Sequence, residues 1–210
     1  MPSPATPQTF LLGVILLAAG SSSRMGRPKM LLPWGDTSVI GHLVEQWRSL
    51  QAEQTAVVCG AGDQVMNDEL NRLGFPDENR ILNPSPERGM FSSIQCAAGW
   101  TGWRAGLTHW AVVLGDQPHL RLKTLRALME FAVAQPQKIC LPFQGGHRRH
   151  PVLLPESAFR RLKNSTAPDL KQFLHSEKLA LCKLDDPGLH LDMDRPEDYE
   201  RAVKLFLGKE

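Results

Sequence analysis

A repeating alternation of short apolar runs with helical patterns limits what this chain can fold into more than any other feature. The first run, residues 11–17, ends in Ala18, Ala19 and Gly20 followed by three serines, which is how a buried strand empties into a tight loop. In residues 38–50, Val39, Ile40, Leu43, Val44, Trp47 and Leu50 recur at helical spacing, and residues 55–59 read as a β-branched strand. The spacing then predicts a helix around 65–73, a strand at 80–82, a helix near 92–100 and a strand at 110–114. Leu122, Leu125, Leu128, Met129, Ala132 and Val133 mark the next helix. Strand and helix in this rhythm predict a mostly parallel, Rossmann-like α/β sheet with helices on both faces and its ligand site beyond the carboxyl ends of the strands. From Lys138 the pattern loosens. Strands are expected near 139–141, 151–154 and 179–184, short helices near Phe159 and Leu170, and a last helix over 196–207, together extending one edge of the sheet.

With 210 residues the chain can bury about 70% of the surface its unfolded form exposes, enough for one domain over 10–210 behind a flexible start at 1–9. Its net charge of +2 has no block of like charges behind it, which speaks against a polybasic nucleic-acid binder or a disordered tail. The most apolar stretch, residues 10–19, is far short of the roughly 20 residues a membrane span needs, and residues 1–9 carry no Lys or Arg. Neither a membrane anchor nor a secretory signal is expected. Cys59, Cys96, Cys140 and Cys182 form no CxxC pair and read as reduced, small core fillers of a cytoplasmic protein.

The chemistry-bearing tract runs Leu17-Ala18-Ala19-Gly20-Ser21-Ser22-Ser23-Arg24-Met25-Gly26-Arg27-Pro28-Lys29. Small residues let backbone N–H groups approach phosphate oxygens, and Arg24 and Lys29 add positive charge. No Gly-Lys-Ser/Thr triplet and no GxGxxG occurs, and the same residues also suit a plain strand-to-helix loop with solvated cations. Asp116 closes the strand at 110–114, where its carboxylate suits either Mg²⁺ or an Asx-turn finished by Pro118. Asp192 and Asp194 are expected to alternate along a strand and share one face, ahead of a helix whose Glu197 and Asp198 suit its N-terminus. Ser92 fits an N-cap and Asn83 a turn. The glycine-flanked segment 145–151 places His147, Arg148, Arg149 and His150 in a basic hairpin, without a third ligand for zinc. Trp47 and Trp110 read as core, whereas Trp100 and Trp103 fit an exposed partner surface.

The tract matches every fixed position of LAAGxSxRMGxxK and so resembles the signature of the nucleotidyltransferases related to the molybdenum-cofactor enzymes. The resemblance extends to Asn83, to Gly89-Met90-Phe91-Ser92-Ser93, to Gly115-Asp116-Gln117-Pro118, to His150-Pro151-Val152-Leu153 and to residues 191–198. It implies a GT-A-like nucleotidyltransferase fold. It also implies nucleotide contacts from Leu17, Ala18, Ala19, Gly20, Ser21, Ser22, Ser23, Arg24, Lys29, Asn83, Gly89 and Ser92, with catalysis by Arg24, Lys29 and Asp116. Mg²⁺ would lie on Asp116 and Asp194, with Asp192 behind them, and the acceptor near Gln117, Pro118, Arg148, Arg149 and His150. Ala19 is similar to the cytidylyltransferase branch, because the guanylyltransferase branch typically has Gly there. The implied reaction transfers CMP from CTP to the phosphate of a molybdopterin-type cofactor, with a recipient molybdoenzyme or its chaperone as a further partner. Other readings keep a different NTP, a phosphorylated sugar or small acid, or a noncatalytic nucleotide-binding, cofactor-handing protein. Arg195 stands where many relatives have Thr, which removes a helix cap. Phe91 stands where relatives often have Ser. Arg149 replaces a Gly, and residues 164–169 replace a Gly-Asp-x-Gly segment, both on the acceptor side.

Overall fold

The computed structural model describes residues 9–20 and 28–207. In chain order the elements are β1 (Leu12–Leu17), β2 (Pro33–Trp34), β3 (Thr37–Ser38), α1 (Val39–Ser49), β4 (Gln54–Gly60), α2 (Gln64–Arg72) and β5 (Arg80–Asn83). Next come α3 (Met90–Gly99), β6 (His109–Leu114), α4 (Leu122–Val133), β7 (Ile139–Gln144), β8 (His147–Arg148) and β9 (Val152–Pro155). The chain closes with α5 (Glu156–Leu162), α6 (Leu170–His175), β10 (Leu179–Lys183) and α7 (Pro196–Leu207).

The main sheet runs in the order β10-β7-β9-β6-β1-β4-β5, with β8 paired to β7. β1 is parallel to β4 and β6, β4 to β5, and β7 to β10, while β9 runs antiparallel to both β6 and β7. The register sets Leu17 beside Val58 on one side and Leu114 on the other. The carboxyl ends of β1 and β6 therefore open side by side onto one crevice.

Alternation of side chains divides each central strand between two cores. Val14, Leu16, Val57 and Val113 pack under α1 and α4 with Ile40, Leu43, Trp47 and Leu125. Ile15, Val58, Trp110 and Val112 face the other way, against Ile94 and Phe159. Burial on both faces is why these strands read as unbroken apolar runs. Ser38 begins α1 as its spacing predicts, accepting a hydrogen bond from the Gly41 N–H at 3.2 Å. The four cysteines are free thiols; burial pushes that of Cys59 up to about 12, which leaves it protonated and inert.

Three expectations are corrected. Asp192 and Asp194 do not lie on a strand, because the Met193 N–H between them goes to the Asp116 carbonyl at 3.2 Å and not to a ladder partner. Trp103 is part of the second core's margin: it lies edge-on to Trp100 and Trp110, and its indole N–H donates to the Ala97 carbonyl at 2.8 Å. The end of α7 left bare by Arg195 is bonded in another way, since the Asp198 carboxylate accepts the Arg195 N–H at 3.1 Å, the acidic half of a capping box.

His109, 4% exposed at the start of β6, is held by burial at a pKa of about 4, below its ordinary 6.5. The unfolded chain takes up that proton first, so this contribution to stability is complete above the unfolded value and is lost as pH falls through the folded one. The expected loss is on the order of 3 kcal/mol, read by urea unfolding at about pH 7.5 and about pH 4.5. His109→Gln is expected to lose distinctly less; equal acid losses in both proteins would contradict the assignment.

Candidate active site

The crevice is a cavity of about 570 Å³ between the end of β1, the Lys29–Leu31 turn, the start of α3 and the end of β6. Leu17, Ala18, Ala19 and Gly20 line it, and the Ala18 N–H is tied to the Val58 carbonyl at 2.9 Å, which keeps the first step of the loop in line with the sheet. Gly115 also lines the cavity. A Cβ there would meet the Met30 sulfur at 2.3 Å and the Leu17 carbonyl oxygen at 2.9 Å, so only glycine lets Asp116 follow so closely. Ser21, Ser22, Ser23 and Arg24 lie outside the described residues.

Lys29 and Asp116 meet at this cavity, with Asp194 beside them. The Lys29 ammonium donates to Asp116 Oδ2 and Asp194 Oδ1, each at 3.1 Å. Burial alone would lower the Lys29 pKa, but its two carboxylate partners outweigh that and the net shift is upward, so the ammonium stays charged. Asp194 arrives through the backbone bond from Met193 to Asp116, which sets two carboxylates from distant parts of the chain around one cation. Asp116 Oδ1 is buried and has no hydrogen-bond partner among the described residues. An orphaned carboxylate oxygen beside a second carboxylate is a hard, anionic donor set, and it fits Mg²⁺ or Mn²⁺, which usually take one or two protein carboxylates and leave the other positions to water and phosphate.

Asn83 and Ser92 stand behind the residues that line this cavity. Asn83 is 1% exposed; its amide donates to the hydroxyls of Ser92 and Ser93 at 2.8 and 2.9 Å, and its oxygen accepts from the Ser85 N–H at 2.9 Å. The residue at the N-cap of α3 is Gly89, at φ 88°, and not Ser92, whose hydroxyl bonds back to the Gly89 carbonyl at 2.7 Å. Gly89 and Ser93 face the cavity, held there by Asn83 and Ser92. Phe91 is buried in the second core.

Arg148, Arg149 and His150 line a second cavity of about 590 Å³, which shares Met90 with the first. Burial pushes the His150 pKa down, and Arg149 Nη2 lies 2.6 Å from His190 Nδ1. Gln117 and Pro118 do not join them. Gln117 is 5% exposed and its amide donates to Asp192 Oδ1 at 2.7 Å. Lys171 and His175 of α6 complete the basic rim. No motif in the sequence marks them, since both fall on a short helix remote from segment 145–151.

A parallel sheet whose central strand ends set a small-residue loop and Asp116 against Lys29, with Asp194 beside them, has the architecture of an α/β nucleotidyltransferase. The chain belongs to the MobA-like NTP transferase family, whose domain model matches residues 14–180. It is 23% identical over 193 residues to the molybdenum cofactor cytidylyltransferase of Escherichia coli K12, covering 91% of this chain and 95% of that protein. A probable molybdenum cofactor guanylyltransferase of Mycobacterium bovis is 28% identical over 152 residues, covering 66% of this chain and 65% of that one. Among solved structures, Rv0371c of Mycobacterium tuberculosis H37Rv has a TM-score of 0.74 at 24% identity, covering 93% of this chain and 98% of that one. Its complex with manganese has a TM-score of 0.68 at 22% identity and the same coverage. No helix among the described residues is long and apolar enough to cross a membrane.

Proposed function

We propose that this nucleotidyltransferase transfers CMP from CTP to the phosphate of a molybdopterin-type cofactor and releases pyrophosphate. The observation that carries the reading is the convergence of Lys29, Asp116 and Asp194 beside the Leu17–Gly20 loop. A binding protein does not need two carboxylates gathered against the fixed cation that would face a triphosphate. The cytidylyltransferase of Escherichia coli, similar along nearly the whole chain, supports the choice of substrates.

In the reaction an acceptor phosphate oxygen attacks the α-phosphorus in line. The bond from that phosphorus to the bridging oxygen breaks, and pyrophosphate leaves with the electron pair. Lys29 neutralises charge on the triphosphate, and the loop after β1 presents backbone N–H groups to it. Asp116 and Asp194 would hold Mg²⁺ or Mn²⁺, which supplies charge neutralisation for the phosphate oxygens. Arg148, Arg149 and His150 hold the anionic acceptor across Met90 from the nucleotide, by charge-assisted hydrogen bonds. A molybdoenzyme or its chaperone would take the product.

Pyrophosphate release with each of four NTPs and candidate acceptors tests the reading. CTP should exceed GTP by roughly 10 to 200-fold, the discrimination pocket shape commonly supplies. Ala19 lines the cavity, so Ala19→Gly should narrow that gap without abolishing CTP use. A wild-type protein that prefers GTP, as expected of the guanylyltransferase branch, would overturn the cytidylyl assignment.

A further inference from the structure

The carboxylates of the site are borne by two segments far apart in sequence, residues 116–124 and 186–194, and these segments are fastened together along their whole length. At one end the Met193 N–H donates to the Asp116 carbonyl at 3.2 Å. Next, Gln117 Nε2 donates to Asp192 Oδ1 at 2.7 Å, and the His119 Nε2–H, 3.0 Å away, donates to the Gly188 carbonyl. Burial lowers the His119 pKa.

Asp186 fastens the other end. It is 1% exposed, and its carboxylate accepts from the Thr124 hydroxyl at 2.5 Å, the Arg121 N–H at 3.4 Å and the Gly188 N–H at 2.9 Å. Arg121 is the N-cap residue of α4 and has no side-chain cap of its own, so the cap is delivered from 65 residues away. The same carboxylate caps the turn Pro187–His190 that leads into Asp192 and Asp194. A buried carboxylate costs desolvation that the helix N-terminus and three donors offset. Packing alone would be served by a neutral residue. What the charge adds is a two-sided clamp: the start of α4, six residues after Asp116, and the turn that precedes Asp194 cannot move apart without uncovering it.

We propose that Asp186 is a positioning residue for the Asp116–Asp194 pair, setting the separation of two carboxylates it does not touch. This rests on the reading of that pair as the holder of a divalent cation. Partners behind the direct ligands of a metal commonly matter by 10 to 100-fold in its affinity.

The test is a Mn²⁺ titration, followed by loss of the free-ion paramagnetic resonance signal, on wild type, Asp116→Ala, Asp186→Asn, Thr124→Val and the remote packing variant Ile139→Val. Asp186→Asn should raise the Mn²⁺ Kd about tenfold and the metal KM with it, while kcat and the NTP KM at saturating metal stay within about twofold. Thr124→Val removes one of the three bonds and should shift the Kd in the same direction by less. Ile139→Val should lower Tm and leave the Kd alone. An unchanged Kd in Asp186→Asn, or in Thr124→Val should Asp186→Asn not fold, overturns the positioning role while Asp116→Ala still loses Mn²⁺. Wild-type binding retained in Asp116→Ala, or no binding by wild type, overturns the metal reading and this inference with it.

Discussion

Asp116→Ala is expected to lower turnover by about 10³-fold, ~4 kcal/mol of transition-state stabilisation, in a protein that remains folded. The carboxylate stands at a strand end where one oxygen holds Lys29 and the other has no partner among the described residues, so the group is placed for charge and does not bind the sheet together. Its backbone carbonyl, which anchors Met193, survives the substitution. Circular dichroism should match wild type while metal-dependent pyrophosphate release disappears. Activity within about threefold of wild type, with the same metal dependence, would remove Asp116 from the chemistry.

Lys29→Ala is expected to cost about 10²-fold, against less than about threefold for Arg27→Ala. The Lys29 ammonium is shared by both carboxylates, and removing it takes away the ion pair that joins Asp116 to Asp194. It also removes the charge that would meet the triphosphate. Arg27 occupies a variable position of the motif and lies outside the described residues. Equal, small losses in both variants would reduce the tract to a connector.

What the sequence revealed of this architecture follows from the range of the forces involved. Burial on both faces of β1, β4 and β6 and amphipathic spacing in α1 and α4 are local consequences of one core, so a reader of residues alone recovers them. The two-residue strands β2 and β3 are too short to carry a period. The Asp-x-Asp alternation at 192–194 imitates a strand because its true partner, Asp116, is remote in sequence. Asn83 and Ser92 show the same limit. By themselves Asn83 fits a turn and Ser92 an N-cap, and only the fold shows that they bond each other behind Gly89 and Ser93. Nor does anything local announce Asp186, whose partners lie in α4 and become neighbours only when the sheet is formed.

The fate of the α-phosphorus tests the central claim most directly. With CTP labelled at that position and a molybdopterin-type acceptor, the label should appear in the acceptor, one pyrophosphate should be released per label transferred, and both should vanish in Asp116→Ala. Release of the terminal phosphate alone, with the label left on the nucleotide, would mean phosphate hydrolysis and contradict nucleotidyl transfer.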